Sequence, residues 1–325
     1  MNIVAADWLP YTLPLRRPWQ TSRGSFSERH GKLLRLRTRD GRIGWGDCAP
    51  WPAFGIDEVA ATGFAEETAM LDLAAQQAGL PLDAWLSGNQ PLAELAVNAM
   101  LGDLAGLDEA RLEQALAGGY AMLKIKVGIG RWQDEIARLE RLAGRLPAGR
   151  QFRLDANAAW EIADARSFLR ACDGLPIEGL EEPLRRPTLD ALASLQSIVA
   201  FPLAIDESLQ LLDPQFFSCP AVGRLILKPA RHGGLLASLG IGLQARAAGI
   251  ECIVTSSLES ACGLLACAHL AAALAPRSTH GLATAEWLAE DTGRPPSISN
   301  GRLSVPGTVG LGFVPGLARG LEQLV

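Results

Sequence analysis

Residues 121–128 read AMLKIKVG, which puts two lysines, Lys124 and Lys126, into an otherwise apolar extended run. Residues two apart in a strand share a face, so both amines point the same way. Lysine is seldom fully buried, and an ammonium taken out of water is costly without a compensating group. The strand therefore asks for a partner where these side chains emerge.

Similar runs recur downstream. FRLDA (152–156), GLEEP (179–183), LAIDE (203–207), LILKP (225–229), CIVTS (252–256) and THGLA (279–283) read as strands, and AVNAM (96–100) precedes them all. Helical stretches lie between, at 134–143, 163–171, 189–198, 236–248 and 263–275. From Lys126 through Asp155, Glu181, Asp206, Lys228 and Ser256 to Gly281 the steps are 29, 26, 25, 22, 28 and 25 residues. Eight strands at that spacing, each followed by a helix, outline a (β/α)8 or modified TIM barrel. An open doubly wound sheet is the rival, and it usually carries a glycine fingerprint after an early strand. No such motif stands in that context, and GTVGLG (307–312) reads as a loop.

The flanks have a different rhythm. KLLRLRT (32–38) leads through Arg39–Arg42 into IGWGD, a hairpin signal, and residues 56–77 show helical periodicity. The expected organisation is an α+β capping domain over residues 1–92, a barrel over 93–285, and a C-terminal segment, 286–325, that returns to the cap.

Composition narrows the function classes. The chain is 48% hydrophobic and 20% charged with a net charge of −5, so a nucleic-acid or anionic-membrane partner is not expected. It has no apolar run long enough to span a membrane, and MNIVAADWLPYTLPLRRPW lacks a secretory pattern. The six cysteines form no CxxC pair, which suits reduced thiols in the cytoplasm.

Barrel enzymes build their sites at strand C-termini, and that is where the markers fall. Asp155, Glu181 and Asp206 come from consecutive strands. Converging carboxylates repel one another unless a cation intervenes, and an all-oxygen set suits Mg²⁺, with Mn²⁺ as a substitute. An acid at a strand end also serves as a helix cap or ion-pair partner. Lys126 and Lys124 face Lys228 from the opposite wall, an arrangement that suits proton abstraction beside a carboxylate. Such neighbours would lower a lysine's pKa towards the neutral range. Structural pairing with the acids and Schiff-base chemistry are the competing roles. Arg153 shares the phase of Asp155 and is expected in the barrel, against an acidic ligand or the substrate. Two stretches read as lids: 19–29, basic at Arg23 and Arg29, and 48–57, aromatic at Trp51 and Phe54. Ser256, Ser257 and Ser260 suit either a substrate carboxylate or the cap of the next helix. His269 reads as structural, and His232 and His280 as open between structural and substrate roles.

KIKVG, RLDANAAW, LEEP, AIDESL and ILKPARHGG together closely resemble the enolase superfamily, in its muconate-lactonizing subgroup. The resemblance spans essentially the whole chain. It implies Mg²⁺ ligation by Asp155, Glu181 and Asp206, catalysis by Lys126 and Lys228 from opposite faces, and an auxiliary Lys124. Asn157 and Glu207 match positions that orient those groups. The implied substrate is a small carboxylate that loses its α-proton. Epimerases of the subgroup commonly end the eighth strand with an acidic pair that holds an ammonium. Here that strand reads THGLAT, without an acid, so the likeness favours the subgroup's dehydratases. Ala283 stands where those dehydratases often carry an aspartate.

Overall fold

A computed structural model describes residues 1–21, 24–211 and 214–316. The first strands, β1 (Ile3–Thr21) and β2 (Gly24–Thr38), form a long antiparallel hairpin, which β3 (Ile43–Cys48) extends. Pro14 faces Glu28 and Trp19 faces Phe26, so residues 15–18 bulge from the ladder. Pro18 lies in this bulge, where its missing N–H costs no ladder bond.

Helix α1 (Glu58–Ala78) starts where the Asp57 carboxylate accepts from the Ala60 N–H, and it packs on β3. The approach needs glycine, because a Cβ at Gly46 would sit 1.9 Å from the Ala65 carbonyl oxygen. Helix α2 (Leu82–Ser87) completes the capping layer. Next, β4 (Glu94–Ala96) joins a small sheet with the late strands described below.

The barrel follows as β5 (Ala99–Asp103), α3 (Glu109–Ala117), β6 (Met122–Lys126), α4 (Trp132–Ala143), β7 (Gln151–Asp155) and α5 (Ile162–Ala171). It continues as β8 (Ile177–Glu181), α6 (Leu189–Gln196), β9 (Leu203–Ile205), α7 (Pro214–Ser218) and β10 (Arg224–Leu227). Helix α8 (Leu235–Ala247), β11 (Glu251–Val254) and α9 (Ala261–Leu274) end the series. Strands β5 to β11 form one parallel sheet in sequence order.

The expected eighth strand contracts to two bridges, His280 with Val97 and Gly281 with Thr255, and these close the sheet. Side chains take the bonds that a ladder would use. The His280 Nδ1 accepts from the Val254 N–H at 3.1 Å, and Arg153 donates to the Thr279 carbonyl at 2.7 Å.

Strands β12 (Ile298–Ser299) and β13 (Arg302–Ser304) return to β4. Beyond them Leu311 N donates to Asp72 of α1, and Phe313 packs edge-on against Trp45 of β3. One nearly continuous apolar core runs through cap and barrel. Architecture and core together are those of a modified (β/α)8 barrel with an α+β cap. No helix among the described residues is long and apolar enough to cross a membrane.

Candidate active site

The parallel register sets Lys126 beside Asp155 and Asp155 beside Glu181, so these side chains leave neighbouring strands at one level. Strands β6 and β10 lie four places apart in the sheet, which in an eight-fold barrel puts Lys126 and Lys228 on opposite walls. Lys124, Lys126, Asp155, Asn157, Asp206, Glu207, Lys228, Ser256 and Ser257 all line one cavity of about 110 Å³ at the barrel mouth. Trp19, Trp51 and Phe54 roof it.

Charge is compensated within the cluster. The Lys124 ammonium donates to Glu181 at 2.7 Å and lies 2.9 Å from Asp155. Lys228 donates to Asp206, whose other oxygen is 3.5 Å from Arg231. Burial pulls the Lys124 pKa down, but the charges of Asp155 and Glu181 outweigh it and hold the ammonium charged. Lys228 behaves alike, with Asp206 overcoming burial. Carboxylates are the nearest charged neighbours of both amines. Burial and then the Asp155 charge push Glu181 up to about 8. Lys126 makes no hydrogen bond or ion pair among the described residues.

A divalent cation fits the chemistry of this donor set: buried carboxylates, oxygen donors only, from three adjacent strand ends. Their oxygens are turned onto the lysines here. Among the described residues no group of three or more His, Cys, Asp or Glu is already gathered as a ligand cage.

Supporting groups surround the cluster. The Asn157 N–H donates to Asp155 at 3.1 Å from a left-handed backbone (φ 42°). Glu207 has a buried Oε2 without a partner among the described residues. Glu182, which sequence reasoning passed over, also has positive φ, 45°, and turns away from the mouth. Its carboxylate accepts from the N–H groups of Asp206 and Ser208 and from the Ser208 hydroxyl, at 2.6–2.8 Å. The signal was present as a second acid directly after a strand-end acid. Arg231 was missed as well.

Several expectations need correction. Arg153 does enter the barrel, but at its far end. It pairs there with Glu178 at 2.9 Å, as does Arg224, and it lines no part of the mouth cavity. It stands two positions before Asp155 on the strand, so its guanidinium meets the acid below, Glu178. Ser256 spends its one donor on Glu259 at 2.6 Å and accepts from Leu258 N and the Thr284 hydroxyl. Of the three serines, Ser257 keeps a buried hydroxyl without a partner among the described residues. Helix α9 is capped from the other domain, since Asp47 accepts from both the Ser260 N–H and its hydroxyl.

Arg29 is no mobile lid residue. It is buried, donates to the Ala49, Pro50 and Leu258 carbonyls, and lies over the Trp51 ring. Arg23 lies outside the described residues. Trp51 packs against Phe54, Phe26 and Trp19 while still facing the cavity. His269 is structural, bonded to Asp83 and the Leu311 carbonyl. His280 is buried at the barrel seam, and the His232 Nδ1 accepts from Lys228 N.

The model of the enolase C-terminal domain-like family matches residues 108–316. The chain belongs to the enolase superfamily. It is 32% identical to the o-succinylbenzoate synthase of Edwardsiella ictaluri, over 84% of this chain and 88% of that one. The dipeptide epimerase from Methylococcus capsulatus, complexed with Mg and the dipeptide L-Arg-D-Lys, superposes with a TM-score of 0.83. That match has 26% identity and covers 97% of this chain and 100% of the other. The N-succinyl Arg/Lys racemase from Bacillus cereus superposes at 0.87 with 23% identity, over 100% and 98% of the two chains.

Proposed function

We propose that this chain is an o-succinylbenzoate synthase, a hydro-lyase of menaquinone or phylloquinone biosynthesis. It would convert 2-succinyl-6-hydroxy-2,4-cyclohexadiene-1-carboxylate to 2-succinylbenzoate. One observation carries the reading. Lysines on opposite walls share a cavity with Asp155, Asp206 and Glu207, Glu181 is bonded to Lys124 beside it, and the eighth-strand wall, Gly281 and Thr284, brings no acid to it. A substrate carrying an ammonium would lack a counter-charge on that wall, whereas a dicarboxylate would not need one.

Asp155, Glu181 and Asp206 would hold Mg²⁺, or Mn²⁺ in its place. When bound, that cation supplies positive charge to the enediolate formed as the substrate carboxylate loses its α-proton. Lys126, without a partner among the described residues, takes the α-proton as a neutral amine. The resulting ammonium returns a proton to the hydroxyl leaving from the same face. A C–H and a C–O bond break, the ring becomes aromatic and water departs. Lys228 stabilises the developing negative charge from the other face. Lys124 keeps Asp155 and Glu181 oriented, and the aromatic roof with Arg29 behind it excludes water.

The test follows the diene's absorbance with protein and Mg²⁺. Loss of signal with 2-succinylbenzoate as product is expected, and Lys126→Ala should slow it by about 10²–10⁴-fold. A diene that survives rules the assignment out. A second reading, an N-succinylamino acid racemase, is favoured by the same opposed lysines, because racemisation needs a base on each face. Exchange of the α-proton of N-succinyl amino acids in D₂O without diene turnover would select it.

A further inference from the structure

A second cavity, of about 640 Å³, opens between the β1 bulge, α3 and residues 283–287, and the proposed reaction makes no use of it. Arg16, Arg17 and Arg111 line it, with Trp287, Tyr120 and Glu286. The bulge is fastened on both sides: Leu15 bridges Leu288, and the Pro14 carbonyl accepts from Ala289 N at 2.8 Å. Bulges re-aim side chains, and this one turns two consecutive arginines to the cavity.

The Arg17 guanidinium lies 4.2 Å from the Trp287 ring centre, and Arg111 lies 5.7 Å from the same ring. Arg111 is anchored by a 3.0 Å bond to the Met100 carbonyl. None of the three guanidiniums forms an ion pair among the described residues. Glu286, the one carboxylate in the lining among the described residues, already accepts from the Tyr120 hydroxyl at 2.9 Å. Burial, and then the Arg17 charge, push the Arg111 pKa down. Three guanidiniums thus share a partly desolvated cleft with a single lining carboxylate, and Asp103 and Asp108 offset the Arg111 charge only in part.

We infer that this cleft is a binding site for a small dianion of dicarboxylate or phosphate type, separate from the barrel mouth. Guanidinium forks fit both anions in a bidentate fashion, and Trp287 holds Arg17 flat for such contact. The wall between the cavities is thin: Met100 lines both, and Trp19 of the mouth stacks on Trp287 at 4.7 Å. A carboxylate ligand of the active site must therefore be distinguished from one bound here.

Isothermal titration of the full chain with succinate, and separately with inorganic phosphate, at fixed ionic strength makes that distinction. At least one probe should bind with one site per chain. Arg17→Gln, on the exposed bulge, and the Arg17→Gln/Arg111→Gln pair should weaken it about tenfold or more, as loss of charge-assisted bonds does. Lys228→Met should leave it within about twofold, because that lysine belongs to the other cavity. Binding of succinate alone identifies an organic dicarboxylate site, and of phosphate alone a phosphate site. No binding by either probe overturns the inference. So does binding that Lys228→Met abolishes and the arginine variants retain. Neither result bears on whether the diene is turned over.

Discussion

Two glutamates stand side by side in LEEP, and the left-handed backbone at the second sends them to different tasks. Glu181 faces the charged cluster, while Glu182 collects three donors from the loop that carries Asp206. Glu182→Ala would leave those donors buried and unpaired, at about 1–3 kcal/mol for such a group. The expected loss is about 3 kcal/mol, a fall in Tm of about 4–5 °C for a chain of 325 residues. A thermal melt that does not move would show that water replaces the carboxylate. At this scale the sequence was readable wherever one strand's phase was enough, as for Lys124, Lys126, Asp155 and Lys228. It was not readable where depth along the strand mattered. Arg153 has the right phase and the wrong level, and Glu178, which claims it, is marked by no motif.

Among the elements, the last barrel strand departs furthest from its sequence pattern. THGLA has the period of a strand, yet its pairing rests on two bridges and the His280 ring. That ring accepts from Val254 at Nδ1, so Nε2 carries the hydrogen donated to the Ala275 carbonyl at 3.0 Å. Burial lowers its pKa to about 4, with the Arg153 charge acting in the same direction. The folded chain thus holds His280 neutral, while the unfolded chain protonates it near 6.5. The stability from this group is complete above about pH 6.5 and is lost as pH falls towards 4, by about 3 kcal/mol in all. Raised carboxylates such as Glu181 gain stability over the same range, so the His280 contribution is read as a difference between two proteins. His280→Asn, whose carbonyl can stand in for Nδ1, should be less stable than wild type at pH 7, by a margin in urea midpoint that narrows towards pH 5. Equal slopes in both proteins would place the acid sensitivity elsewhere. Hydrophobic periodicity could not foresee this seam, because it reports which face is buried and not whether backbone or side chain makes the bonds.

Over the whole molecule, the carboxylate cluster sets stability against use. Asp155, Glu181 and Asp206 are buried at one end of a single core, and two lysines compensate them incompletely, as the elevated Glu181 pKa shows. A group that the fold would rather keep neutral costs stability when it ionises. The cost is worth carrying only if a ligand bound to the folded chain returns it. Saturating Mg²⁺ should therefore raise Tm, by the several degrees that correspond to about 2.7 kcal/mol at a hundredfold excess over Kd. EDTA should reverse the shift. Glu181→Gln should do the opposite of an ordinary active-site lesion. The metal-free variant should melt at or above the wild-type temperature, since the neutral amide is no longer repelled by Asp155 and can still accept from Lys124. It should at the same time lose most of the Mg²⁺-dependent shift. If the variant melts lower than metal-free wild type and keeps that shift, Glu181 is a structural partner of Lys124. The ligand set would then have to be sought without it.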